Sequence, residues 1–74
     1  MTIDELLAKL LRVPAQRITE DASMKTIAEW DSLKHIELIV GIEQHYSIEL
    51  TGDEIAEMTS VKAIRTILGK HGCN

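Results

Sequence analysis

Between Leu33 and Tyr46 the apolar residues recur at the spacing of an α-helix, and they do so on two sides at once. At 3.6 residues per turn, Leu38, Ile39, Ile42 and Tyr46 share one face, while Leu33, Ile36 and Val40 lie nearly opposite. A chain of 74 residues makes one domain with one small core. Such a core can bury one stripe and leaves the other facing water. The outward stripe begins beside Ser32, at the mouth of the helix. A serine next to exposed apolar surface reads as a site to be found by other proteins.

The remaining elements follow from spacing and caps. Ile3, Leu6, Leu7, Leu10 and Leu11 predict a first helix over residues 3–12, opened by the capping box Thr2/Glu5 and supported by the pair Glu5–Lys9. Pro14 ends it and pushes Val13 toward extended geometry. Residues 13–31 show no sustained period. They predict a long loop, with a single turn near Met24 to Ala28, tied over the core by Ile18, Met24, Ile27 and Trp30. The second helix is expected over 33–46, with Asp31 or Ser32 as N-cap and a helix-weakening Gly41 inside it. Ser47 to Leu50 is a connector with Ile48, and at its end Leu50, expected to turn inward. The capping box Thr51/Glu54 opens a short third helix over 53–58, with Ile55 and Met58 as its apolar contacts. Ser60 caps a fourth over 61–69, buried through Val61, Ile64, Ile67 and Leu68. Gly69 is its expected stop, and residues 70–74 its loose tail. No strand-like alternation or internal repeat appears. The fold class is all-α: a small four-helix bundle with a long loop between helices 1 and 2 and a short helix 3, residues 1–74 forming one domain. Its core is aliphatic, with no phenylalanine.

Charge narrows the partners. Between Glu20 and Glu57 stand ten acids against two bases, Lys25 and Lys34, whereas both ends of the chain are net positive. An acidic middle argues against nucleic acid, which needs a basic footprint. It suits a partner with a basic patch, or serves simply as a solvated surface. The start, Met1 to Glu5, is acidic where a secretory leader is basic, and no apolar run reaches the length of a membrane span. The lone Cys73 cannot close an internal disulfide. A cytoplasmic monomer without membrane insertion is expected. His35, His45 and His71 are scattered and read as surface or partly buried residues; no metal site is expected.

Ser32 carries the chemistry. Serine is a favoured helix N-cap, and capping alone is one reading. No base and orienting group accompany it and no nucleophile elbow surrounds it, so no catalytic residue is assigned and the chain is not expected to be an enzyme. The apolar stripe Leu33, Ile36 and Val40, flanked by Glu37 and Glu43, forms a candidate partner-docking face. A non-catalytic helical adaptor binding a partner through that face is one function compatible with these features.

Trp30-Asp31-Ser32-Leu33, then Ile36-Glu37-Leu38-Ile39, then Ile42-Glu43 through Tyr46-Ser47-Ile48-Glu49-Leu50, resemble the acyl carrier proteins, the phosphopantetheine-binding carriers of fatty-acid and polyketide biosynthesis. The resemblance continues with Asp53-Glu54-Ile55 and Met58-Thr59-Ser60-Val61, without a gap from about Ala22 to Leu68. It implies that a separate phosphopantetheinyl transferase moves 4′-phosphopantetheine from coenzyme A onto Ser32, with Asp31 helping recognition. It implies further that acyl intermediates ride on that arm as thioesters, presented by a free-standing carrier to acyl-loading and acyl-processing enzymes. Lys34 stands where fatty-acid carriers usually have an acid, and Ala28-Glu29-Trp30 replaces the Leu-Gly-Gly of many peptidyl carriers. These departures point toward a specialised pathway, polyketide-like or another secondary route.

Overall fold

The computed structural model describes residues 2–73 and holds four α-helices: α1 (Ile3–Leu11), α2 (Ser32–Tyr46), α3 (Gly52–Glu57) and α4 (Val61–Lys70). No strand occurs among the described residues. Met1 and Asn74, the ends of the expected domain, and with them the final residue of the expected tail, lie outside the described residues.

Leu6, Leu7, Ala8 and Leu11 of α1 pack with Leu38, Ile39 and Ile42 of α2 and with Val61, Ile64, Ile67 and Leu68 of α4 in one core. Each helix contributes its expected face because its apolar residues repeat at helical spacing. Both capping boxes form. Thr2 and Glu5 exchange side-chain bonds at the start of α1, and Thr51 and Glu54 do the same at α3. Arg65 of α4 reaches Asp4 in α1 and Glu20 in the long loop, pinning three segments on one side.

The long loop is anchored as its apolar residues suggest. Ile18, Ile27 and Trp30 are buried and Met24 is half-buried against the core, joined by Val13 and Ala22. One turn of 3-10 helix, Ala15–Arg17, follows Pro14 and was not legible from periodicity, since three residues carry no period. The loop is also stitched to the segment between α3 and α4. The Met24 N–H donates to the Thr59 carbonyl (3.0 Å) and the Val61 N–H to the Ala22 carbonyl (2.9 Å).

The helix ends correct the sequence reading by a residue or so. Arg12 leaves α1 as a left-handed cap with φ 60°. At α2 the N-cap is Asp31, so Ser32 is already the first helical residue. Likewise α3 begins at Gly52, and Met58 caps it from a fully buried position. Gly69 does not stop α4. The helix runs on to Lys70, and the left-handed position falls instead on Gly72, φ +77°. There the N–H of Cys73 bonds back to the Leu68 carbonyl (2.8 Å) and that of Gly72 to Gly69 (3.1 Å), a Schellman closure. The expected loose tail is thus ordered through Cys73, which packs against the core.

Candidate functional site

The site is built by the junction of the long loop with α2. Asp31 holds extended backbone, and its Oδ1 accepts from the Lys34 N–H at 2.9 Å, satisfying one of the donors that a helix start leaves free. Capping is therefore done by Asp31. Ser32, one residue on, is exposed, and its hydroxyl is in none of the side-chain hydrogen bonds that hold the turn, so it stays open to chemistry from outside. It sits at the positive end of a 15-residue helix, an environment that favours a negatively charged substituent such as a phosphodiester.

The second stripe of α2 is indeed outward. Leu33 is 70% exposed, Ile36 58% and Val40 45%. Among the described residues no other large hydrophobic side chain stands so far in water. Glu37 lies beside them and meets Lys34 Nζ at 3.6 Å, a surface pair worth at most about 1 kcal/mol that leaves the carboxylate available to another cation. Glu43, on the other flank, makes a bond within the fold. It is half-buried, and Oε2 accepts from the Leu50 N–H at 2.8 Å. That bond ties α2 to the connector before α3 through one of the two carboxylate oxygens of Glu43.

Behind Ser32 the turn is fixed from inside. Trp30 is 1% exposed, and its indole N–H donates to His35 Nδ1 at 3.2 Å. On the other edge of that imidazole, Nε2 donates to the Ile55 carbonyl of α3 at 2.8 Å. An indole N–H can only donate and a carbonyl can only accept, so this ring is neutral, with its proton on Nε2. One residue before Trp30, Glu29 pairs with Arg17 at 2.8 Å, and the guanidinium holds the Glu29 carboxyl below its ordinary range. His35 corrects the expectation of a surface or partly buried histidine: it is 9% exposed. The signal was available, because His35 precedes Leu38, Ile39 and Ile42 by three, four and seven residues, the spacing of the buried stripe. His71 pairs with Glu54 across 2.9 Å, while the His45 ring stacks edge-on against Tyr46.

Among the described residues no cluster of three or more His, Cys, Asp or Glu side chains could hold a metal ion, and no helix is long and apolar enough to cross a membrane. What the arrangement offers is one accessible hydroxyl on a fixed turn, beside an apolar face with an acidic flank.

Comparison with known proteins agrees with this geometry. The family model described as a phosphopantetheine attachment site matches residues 2–68. An acyl carrier protein of Buchnera aphidicola subsp. Baizongia pistaciae is 33% identical over 69 residues, 93% of this chain and 88% of its own length. The polyketide-8 synthase acyl carrier protein 2 of Streptomyces avermitilis is 30% identical over 64 residues, 86% and 74% of the two chains. In structure, the holo acyl carrier protein of Geobacter metallireducens superposes with a TM-score of 0.81 at 26% identity, covering 92% of this chain and 78% of that one.

Proposed function

The chain belongs to the family of acyl carrier proteins with a phosphopantetheine attachment site, and from that premise we propose that Ser32 is the residue that takes the arm. One observation carries the assignment: Asp31 caps α2, which leaves the Ser32 hydroxyl exposed and uncommitted at the helix mouth. The residues present fit the group, since an arm attached here needs an open oxygen and a site tolerant of a phosphodiester. When bound, 4′-phosphopantetheine supplies a terminal thiol that holds acyl groups as thioesters. Everything else is the work of this chain's own residues. Asp31 fixes the turn and offers its second carboxylate oxygen to the phosphopantetheinyl transferase. The α2 dipole favours the phosphodiester. Leu33, Ile36 and Val40 supply apolar docking area, and Glu37 meets basic residues on acyl-loading and acyl-processing partners, raising the encounter rate. Glu43 acts one step back by holding the connector.

Residues 1–74 act in this reading as one carrier domain in the cytoplasm, where coenzyme A and the transferase meet it. We assign the domain to a specialised, polyketide-like pathway. Two features support that assignment: Lys34 beside the attachment point, and the 30% identity to a polyketide synthase carrier.

Incubation with a broad-specificity phosphopantetheinyl transferase, coenzyme A and magnesium should add one arm by intact mass, and Ser32→Ala should take none. A folded wild-type sample that gains no mass overturns the assignment. Full biological activity in Ser32→Ala would favour the adaptor function instead. Intact mass from the native host reads the cargo: a β-oxygenated chain supports the specialised pathway, and a plain saturated chain rejects it.

A further inference from the structure

His35 is the one buried polar or charged side chain among the described residues, and carrier chemistry at Ser32 gives it no task. Its two hydrogen bonds join elements that are distant in sequence. Nδ1 receives the indole N–H of Trp30, two residues before Ser32. Nε2 serves the Ile55 carbonyl, which lies in the last turn of α3 and gets only a long shared bond (3.3 Å) from the Met58 N–H. No residue of α3 is fully buried. The short helix is thus fastened to α2 by this imidazole, and the same ring fixes the residue that leads into the Ser32 turn.

We infer that His35 is a positioning residue, whose neutral ring holds Trp30 and α3 in register and so presents the Ser32 turn in the conformation that the modifying enzyme accepts. The inference rests on the assignment of Ser32 as the attachment point. Without the acceptor at Nδ1, the buried indole N–H has no partner, and Trp30 with the turn behind it samples other arrangements. Only the fraction in the competent arrangement is then recognised, which raises the apparent KM for the carrier and leaves kcat in place.

The test is steady-state arm transfer onto wild type, His35→Phe, Trp30→Phe and His35→Gln, at a temperature where circular dichroism shows each to be folded. His35→Phe and Trp30→Phe should raise KM about threefold to tenfold, the size of one net hydrogen bond. His35→Gln, which keeps a donor and an acceptor, should recover part of it. A purely structural role would lower the melting temperature and leave KM alone. Wild-type KM in both Phe variants overturns the inference while leaving Ser32 as the attachment point. Absence of any transfer to wild type overturns that assignment and this inference with it. If His35→Phe does not fold, Trp30→Phe decides, since it keeps the bond to Ile55. In the unmodified protein, imidazole nitrogen shifts should show the proton on Nε2, and a proton on Nδ1 also defeats the inference.

Discussion

Leu10 of α1 lies so close to Gly41 of α2 that a Cβ built on the glycine would stand 2.6 Å from Leu10 Cδ2 and 2.9 Å from Cδ1. Gly41 leaves the room that the Leu10 side chain fills between the two helices. Alanine in its place would add roughly 1 kcal/mol of helix propensity on an unobstructed surface. Here Gly41→Ala should gain none of it, and Gly41→Val should lose about 1–3 kcal/mol through overpacking. Urea denaturation of the two variants reads this. An alanine variant stabilised by the full propensity gain would show that Leu10 swings aside freely.

Asp31 and Ser32 are neighbours with separable roles. Asp31→Ala removes the cap and should cost about 0.5–2 kcal/mol of stability. Ser32→Ala should cost less than about 0.5 kcal/mol, because its hydroxyl supports nothing in the fold. Thermal unfolding of the two side by side checks the difference. An equal loss in both would mean that the serine, too, is capping.

The two stripes of α2 predict opposite outcomes. Ile42 is fully buried, and Ile42→Ala should destabilise by about 2–5 kcal/mol. Val40→Asp and Glu37→Lys should leave unfolding within about 0.5 kcal/mol of wild type, yet weaken turnover with partner enzymes. Salt should shrink the Glu37 effect, since exposed charges are screened. Unchanged turnover in both variants would remove this face as the docking surface.

Glu54 gives the fold a pH signature. The Thr51 backbone N–H and then His71 hold its carboxyl below the ordinary carboxylate range. A group whose pKa is lower folded than unfolded contributes stability above the unfolded value and loses it as pH falls through the folded one. The melting-temperature gap between wild type and Glu54→Gln should therefore be present at neutral pH and close in the acid range. Glutamine keeps the capping geometry, so the gap isolates the charge. A gap that persists undiminished at acid pH would assign the effect to shape.

Much of this protein was legible before any coordinates. The faces of α1, α2 and α4, both capping boxes, the anchors Ile18, Ile27 and Trp30, and the outward stripe beside Ser32 all follow from residues within a few turns of one another. Helical period and capping chemistry act over that range, so the local sequence determines them. Tertiary structure decided the rest. It buried His35, because α3 and the loop close over it from twenty residues ahead and five behind. It turned Glu43 onto Leu50 and explained Gly41 through Leu10. Each of those outcomes depends on which surface arrives from elsewhere in the chain. A hydrogen bond or a close contact has two partners, and a linear pattern specifies only where each one starts.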